Sequence, residues 1–406
     1  MSKHGFLSLL LILCMLLSVF ALSSCGKSGE GDATEPATGP VTEPATEPAT
    51  EPATEPETTA ATTARPAPEP NAYYLFNDNQ EYIKLLGRSR LYKSAVVLDW
   101  TAAGLEFEYE GSGDLKMRVE YAGDLNVVLE IEVDGNVRAL SVQESGTIRL
   151  ASDLEQGVHH VKVLRRTMAA NGGKGVFLSA QGVTMTGYFM DRPADNKYMV
   201  AFLGDSITCG VGLTANNGLF SYAFDLSSRE GFDYDICAIP GIGVYRSSKT
   251  LGYTENSLTK YYPFFNYYRS ETLRYRPERQ ADLVIVNLNT NDQNHNSSAA
   301  DETPYKETLK TLISEIRDAH GNDVPIVWVV GMMIAPDAMV NGWLNDVFAE
   351  LGGESAGLYT ITVETNNEGG SDHPNQASHD AVSQALSSFI REKNLLDLAP
   401  LAPSAE

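Results

Sequence analysis

The sequence predicts an α/β domain with a doubly wound parallel sheet in three layers, preceded by an antiparallel β-sandwich. Between residues 96 and 183, short runs of alternating apolar and polar residues are separated by turns rich in Gly and Asp, a pattern typical of sandwiches. After residue 193, short runs rich in Val and Ile alternate with segments of helical period, which indicates a parallel sheet covered on both faces. We therefore expect the sandwich over residues 71–192 and the α/β domain over residues 193–400.

The alternation that predicts the sandwich is clearest in three runs, at residues 105–109, 115–121 and 127–133. The first two are separated by Gly111-Ser112-Gly113, and Asp134-Gly135 follows the third. Because side chains of a strand alternate between its two faces, each run predicts a half-buried strand, and the glycines predict turns between them.

Five short apolar runs define the predicted parallel sheet. Between two of them, Leu309, Leu312, Ile313 and Ile316 follow the period of a helix that packs one face on the sheet. The five runs cover residues 199–203, 234–239, 283–288, 326–331 and 359–363.

The first 70 residues predict export rather than a folded domain. Residues 1–24 combine a basic start with an apolar run, as in a secretory signal peptide. The ending Leu22-Ser23-Ser24-Cys25 resembles the bacterial lipobox, so Cys25 is the expected site of lipidation. Simple secretion and a retained membrane helix are the alternatives. Residues 25–70 are rich in repeated Thr, Glu, Pro and Ala, which predicts a disordered linker and places the folded part outside the cytoplasm, lipid-anchored at the cell surface.

Charge and cysteine content narrow the function further. With 53 acidic and 30 basic residues, the net charge of -23 opposes binding to nucleic acid or to anionic lipid, so the lipid anchor is the only expected membrane contact. Past the linker the chain holds two cysteines, Cys209 and Cys237, which either form a disulfide or pack as thiols. They lack the spacing of a zinc site, and we expect neither a metal nor another cofactor.

Three polar stretches follow predicted strands or precede the last helix. Ser206 lies in Gly-Asp-Ser just after the first strand of the parallel sheet, Asn291 lies in Asn-Thr-Asn-Asp just after the run at 283–288, and His373 precedes Pro374. Ligands of parallel sheets bind beyond the carboxyl ends of the strands. A serine hydroxyl becomes a nucleophile when a base and an oxyanion site lie beside it, and these stretches supply candidates for both.

These blocks and their order resemble those of the SGNH, or GDSL-type, hydrolases. Together with the upstream sandwich, they resemble carbohydrate esterase family 2, in which a jelly-roll domain precedes an SGNH domain and the enzymes remove acetyl groups from plant polysaccharides. The resemblance implies that Ser206 is the nucleophile and His373 the general base. It also implies that the Ser206 N–H, the Gly241 N–H and the Asn291 side chain hold the oxyanion, with Gly243 as the alternative to Gly241.

The sequence departs from the family pattern at two places. Asn289 stands where the third block usually begins with glycine, and Gly370 and Ser371 stand where an aspartate usually supports the histidine. Asp372 adjoins His373, but neighbours on an extended chain point to opposite sides. We therefore expect a Ser–His dyad whose imidazole is oriented by a backbone carbonyl, with Asp372 as the alternative.

The expected activity is that of an acetyl xylan or glucomannan esterase acting through an acyl-enzyme, with an acetylated polysaccharide or oligosaccharide as partner. One alternative is an SGNH esterase acting on another acyl ester, such as that of a cell-envelope glycan. The other is a surface carbohydrate-binding protein with an idle catalytic site. Among the remaining aromatic residues, we expect His379 to be structural, whereas His295 and Trp343 are weaker candidates for lining the crevice. Oligomeric state is not predicted.

Overall fold

A computed structural model describes residues 67–171, 174–295 and 297–400. It contains two sheets, one antiparallel and one parallel. The predicted signal peptide, Cys25 and almost all of the predicted linker lie outside the described residues. In the described ranges, no helix has both the length and the apolar character needed to span a membrane.

The antiparallel sheet has ten strands, ordered β3-β4-β10-β5-β8-β6-β7, with β1 and β9 paired to β10 and β2 paired to β5. Strand β6 shows why the sequence folds this way, since its residues alternate strictly between buried and half-buried. The strands are β1 (Ala72–Leu75), β2 (Lys84–Leu86), β3 (Arg90–Tyr92), β4 (Ala95–Val97), β5 (Gly104–Gly123), β6 (Val127–Val133), β7 (Asn136–Val142), β8 (Gly146–Arg165), β9 (Ala170–Asn171) and β10 (Lys174–Phe189).

Three of these strands are much longer than the predicted runs. The glycines at 111 and 113, which predicted a turn, instead lie within β5, where its register with β8 shifts between Gly111 and Leu115. Such bulges bend a strand, so that it can contribute to both walls of a folded sheet. Residues from both halves of β5, such as Phe107 and Met117, accordingly share one apolar core. The predicted antiparallel domain is confirmed, with a bulge where a turn was expected.

The parallel sheet has the order β12-β11-β13-β14-β15. All five predicted apolar runs form its strands, which are β11 (Met199–Gly204), β12 (Asp233–Ala238), β13 (Leu283–Asn287), β14 (Ile326–Gly331) and β15 (Leu358–Val363). The helices are α1 (Tyr222–Glu230), α2 (Thr290–Asn294), α3 (Glu302–His320), α4 (Ala338–Glu350) and α5 (Gln376–Glu392).

The sheet lies between two layers of helices. Leu203 and other alternate residues of the strands share a core with α3 and α4, whereas Phe202 and its counterparts share a core with α1 and α5. The predicted three-layer α/β fold is thus confirmed. The chain passes from β11 to β12 on one side and then to β13 on the other side of β11. This reversal opens a crevice at the carboxyl end of β11, where ligands bind on such sheets.

Arg88 links the two sheets. It lies between β2 and β3, is completely buried, and donates to the Asp235 carboxylate at 3.0 Å and to the Phe264 carbonyl at 3.2 Å. Its guanidinium lies 3.6 Å from the centre of the Tyr275 ring. Removing one partner of such a buried pair leaves an uncompensated charge, so this contact holds the antiparallel domain in a defined position on the α/β domain.

Cys209 and Cys237 are both buried free thiols. Burial raises the pKa of Cys237 to about 12, because an apolar environment disfavours the thiolate. Of the two arrangements that the sequence left open, the structure therefore has packed thiols.

Candidate active site

Ser206 follows β11 in a tight turn at the carboxyl edge of the sheet. Strand β11 ends at Gly204, where a Cβ atom would lie 2.0 Å from the Thr208 hydroxyl oxygen, so the turn requires glycine. The Ser206 carbonyl accepts from the N–H of Val211 at 3.0 Å, which fixes the turn. The residue is only 8% exposed, and its position matches the crevice predicted from the strand order.

His373 reaches Ser206 from the loop between β15 and α5. The distance between His373 Nε2 and Ser206 Oγ is 2.8 Å, within hydrogen-bond range for a nucleophile and its base. Gly212 allows this approach, because a Cβ atom at this position would lie 2.6 Å from the His373 Cβ. The N–H of Gly370 donates to the Gly212 carbonyl at 2.9 Å and holds the two loops together.

A backbone carbonyl orients the His373 ring. His373 Nδ1 lies 2.7 Å from the carbonyl oxygen of Ser371. Because a carbonyl only accepts, the proton of the neutral ring lies on Nδ1, which leaves Nε2 to accept from the Ser206 hydroxyl. Ser371 and Asp372 both have φ of 56°, and this left-handed turn directs the carbonyl to the ring. Asp372 is exposed and makes no hydrogen bond or ion pair with any described residue.

Two backbone N–H groups near Ser206 are available to a negatively charged oxygen. Gly241 follows β12 with φ of 83°, and its carbonyl accepts from the Ser248 N–H at 2.7 Å. Within the described ranges, neither the Gly241 N–H nor the Ser206 N–H has a hydrogen-bond partner. The Gly243 N–H, the alternative donor, is bonded to the Ser247 hydroxyl at 3.0 Å. Of the two glycines, Gly241 therefore offers the free donor.

The Asn291 amide lies beside these groups, but its hydrogens are already engaged. Its Nδ2 donates to an oxygen of the Asp205 carboxylate at 3.1 Å and to the Ile242 carbonyl at 2.8 Å. The residue is 7% exposed at the start of α2. To donate to an oxyanion, the amide has to release one of these two acceptors or share one of its hydrogens between that acceptor and the oxyanion.

Two buried carboxylates, Asp205 and Asp292, support the site, and the sequence interpretation missed the part played by Asp292. Asp205 accepts from the Ile207 N–H at 2.9 Å, and Asp292 accepts three backbone N–H groups, of residues 244–246, at 2.7–2.8 Å. Burial raises the pKa of Asp205 to about 7, and the nearby Asp292 charge adds to this rise. Burial also raises the pKa of Asp292 to about 6, although the hydrogen bonds from the three backbone N–H groups act to lower it. The Asp292 bonds hold the loop that follows Gly241.

Asn289 explains the departure from the family's glycine. Its φ of 87° lies in the left-handed region, which glycine adopts freely and asparagine tolerates better than most residues. The side chain is 2% exposed, and its Oδ1 accepts from the Tyr305 hydroxyl at 2.7 Å. Its position therefore favours a structural role over contact with a substrate.

The other aromatic candidates have mainly structural positions. The Nδ1 atom of His379 accepts from the Tyr222 N–H at 3.0 Å, and burial lowers the pKa of His379 to about 4. Trp343 is buried in α4 against Tyr305, in the core. His295 packs edge-on to Tyr253, with 6.3 Å between ring centres, and burial lowers its pKa.

Comparison with known proteins agrees with this architecture. Residues 202–399 match the GDSL-like lipase/acylhydrolase family. The chain is 27% identical over 334 residues to the cellulase/esterase CelE of Acetivibrio thermocellus, covering 72% of this chain and 37% of that protein. The chain thus spans little more than a third of the length of this relative.

Solved structures share the two-domain fold. A family two carbohydrate esterase from Clostridium thermocellum, in complex with cellohexaose, matches with a TM-score of 0.67 and 24% identity over 77% of this chain and 100% of that one. The acetyl xylan esterase Est2A of Butyrivibrio proteoclasticus matches with a TM-score of 0.69 and 19% identity over 80% and 99% of the two chains. Residues 202–399 therefore match a GDSL-like hydrolase domain, which agrees with the predicted ester hydrolase, and the chain has the fold of the family two carbohydrate esterases.

Proposed function

We propose that the protein is a serine esterase that removes O-acetyl groups from plant cell-wall polysaccharide, such as acetylated xylan or glucomannan. The observation that carries the proposal is the contact of 2.8 Å between His373 Nε2 and Ser206 Oγ, beside two unpaired backbone N–H groups. This arrangement supplies a nucleophile, a base and an oxyanion site in one crevice.

The reaction begins when Ser206 Oγ attacks the carbonyl carbon of the acetyl group and His373 Nε2 takes the hydroxyl proton. The negative charge that develops on the carbonyl oxygen faces the N–H groups of Ser206 and Gly241, with the Asn291 amide as a third donor. The bond to the sugar oxygen then breaks, and His373 returns the proton to that oxygen, which leaves an acetyl group on Ser206. Water attacks this ester in the same way, and acetate is released.

The Ser371 carbonyl has a defined part in this cycle. It keeps the His373 ring in the tautomer whose Nε2 can accept a proton, and it accepts the hydrogen bond from the Nδ1–H of the imidazolium that forms, whose proton stays on the ring. The bond of 2.7 Å is short enough for this purpose. We therefore assign the catalytic pair to Ser206 and His373, without a carboxylate partner.

The proposal for a polysaccharide substrate rests on the relatives and on charge. One structure that shares the fold contains cellohexaose, and another is an acetyl xylan esterase. The net charge of -23 disfavours an anionic substrate and agrees with a neutral glycan. An acetylated cell-envelope glycan is the alternative substrate, and acetate release separates the two.

The test is hydrolysis of 4-nitrophenyl acetate, followed by acetate release from acetylated xylan, acetylated glucomannan and O-acetylated peptidoglycan. Ser206→Ala should abolish turnover, whereas Ser355→Ala, a change at an exposed serine between α4 and β15, should retain it. Turnover that survives in Ser206→Ala would refute the assignment of the nucleophile. Release from peptidoglycan alone would refute the plant polysaccharide, and glycan binding without turnover would make the protein a binding protein.

We also propose that a lipid on Cys25 anchors the protein at the outside of a bacterial membrane. Wild-type protein should sediment with membranes after cell lysis, and Cys25→Ala should move it to the soluble fraction. Equal membrane association of the two proteins would refute the lipid anchor.

A further inference from the structure

A cavity lies between β10 and the long connection that follows β12. Its volume is about 330 Å³. Three tyrosines dominate its lining, Tyr261, Tyr267 and Tyr268. Concave sites lined by aromatic side chains with a few polar groups are typical of small-ligand sites.

The three tyrosine rings form a fixed platform. Tyr261 and Tyr267 are stacked with 5.3 Å between ring centres, and Tyr268 lies edge-on to Tyr267 at 5.8 Å. The first two rings are buried in the core, whereas Tyr268 is 52% exposed. Because its neighbours are immobilised by packing, the exposed ring can present a flat surface at little entropic cost.

Both domains contribute to the cavity wall. Gly175 of β10 lies directly against Tyr267, and a Cβ atom at this glycine would lie 2.2 Å from the ring. The opposite side is formed by the connection after β12, with Asn256 and Arg269 as the polar lining groups. The Arg269 guanidinium lies 4.9 Å from the centre of the Tyr261 ring. The cavity is therefore preformed where the domains meet.

A short chain of contacts joins this cavity to the candidate oxyanion site. Thr250 lines the cavity, and its hydroxyl oxygen lies 2.9 Å from that of Ser248. The Ser248 N–H donates to the Gly241 carbonyl at 2.7 Å. Two contacts therefore separate the cavity from Gly241, whose free N–H is a candidate oxyanion donor, so the cavity neighbours the candidate oxyanion site.

We infer that this cavity binds a second pyranose unit of the polysaccharide whose acetyl group is held at Ser206, an inference that rests on the proposed function. A pyranose ring has an apolar face of C–H groups and a rim of hydroxyls. The Tyr268 ring matches the face. Arg269 donates to the side-chain carbonyl oxygen of Asn256 at 3.3 Å and Asn256 donates to the Leu251 carbonyl at 2.9 Å, so the remaining N–H groups of these two side chains are the donors for the rim.

Tyr268→Ala tests the subsite. The loss of one aromatic contact should raise KM for acetylated xylan by about 3- to 10-fold, with kcat unchanged and with kcat/KM for 4-nitrophenyl acetate within twofold of wild type. Tyr268→Phe, which keeps the ring, should behave as wild type on both substrates. Tyr73→Ala is the matched control, because Tyr73 is 46% exposed on β1 outside the cavity.

An unchanged KM for xylan in Tyr268→Ala would overturn the subsite, and so would equal losses on both substrates, which would show a structural role. Binding keeps this test separate from the proposed function. If wild type fails to release acetate from any glycan, Ser206→Ala and the double variant with Tyr268→Ala are compared by affinity electrophoresis in xylan and glucomannan. If the glycan retards Ser206→Ala but not the double variant with Tyr268→Ala, the subsite is supported. Equal mobility of the two proteins overturns it.

Discussion

Replacing Asp372 with asparagine tests which group holds the His373 ring. If the Ser371 carbonyl does so, Asp372 contributes only the field of its exposed charge. At roughly 6 Å in water, two unit charges interact by about 0.7 kcal/mol, which corresponds to about a threefold change in rate. A triad aspartate, by contrast, contributes a factor of about 10⁴. The two arrangements therefore differ by more than a thousandfold in their expected effect.

The assay is kcat and kcat/KM for 4-nitrophenyl acetate between pH 6 and pH 9, with thermal unfolding to verify the fold. We expect Asp372→Asn to remain within a few fold of wild type across this range. Raised salt should shrink any remaining difference, because exposed charges are screened. A loss near 10⁴ with intact folding would refute the carbonyl arrangement and assign the supporting role to Asp372.

A matched pair of changes at Ser371 addresses the carbonyl itself. Because Ser371 has φ of 56°, Ser371→Gly can keep the turn, and we expect nearly wild-type turnover. Proline fixes φ near −65°, so Ser371→Pro should displace the carbonyl and reduce kcat by about 10² or more. Equal activity of the two variants would show that the Ser371 turn does not position His373.

Three further changes test the surroundings of the site. Gly241→Ala would place a Cβ atom 2.4 Å from the Ser248 hydroxyl oxygen at a φ of 83°. Because this displaces one oxyanion donor, we expect kcat to fall about 10²-fold. An unchanged kcat would show that the Gly241 N–H does not hold the oxyanion. Burial raises the pKa of Asp205 from 3.8 to about 7, so the folded protein binds a proton that the unfolded chain has lost, and stability should fall as pH rises from about 4 to about 7. In urea melts at pH 5 and pH 7.5, the free energy of unfolding of Asp205→Asn should decline less than that of wild type. An equal decline in both proteins would refute the raised pKa of Asp205. Asn289→Ala should lower the free energy of unfolding by at least about 1 kcal/mol through strain and the lost hydrogen bond, whereas equal stability in denaturant melts would contradict the strain.

The parts of the site that follow regular strands could be predicted from the sequence. The runs that became β11 and β13 are short and apolar, and together with the helical segments between the runs this pattern suffices to place them in a parallel sheet. Once both are in one sheet, Ser206 and Asn291 necessarily lie near the same edge. The predicted position of these two residues thus depends on local periodicity and on a general property of parallel sheets.

The parts built from irregular segments could not be predicted in the same way. The bonds from residues 244–246 to Asp292 join segments that are distant in the sequence and show no periodicity. Likewise, the sequence could not decide between Gly241 and Gly243, since the difference lies in the Ser247 hydroxyl that occupies one of the two N–H groups. The tyrosine cavity lies in the same irregular connection, where only tertiary packing brings the rings together.

Because the Asn291 amide is already hydrogen-bonded, the three donors of the candidate oxyanion site should contribute unequally to stabilising the oxyanion. A developing oxyanion has to compete for this amide with the Asp205 carboxylate and the Ile242 carbonyl, and hydrogen bonds to a charged acceptor are the stronger ones. The N–H groups of Ser206 and Gly241 face no such competition within the described structure. Donors that are already oriented and unpaired stabilise charge without reorganisation. The two backbone groups should therefore carry the larger share of the stabilisation, with the amide as an adjustable third contact that Asp205 holds in place.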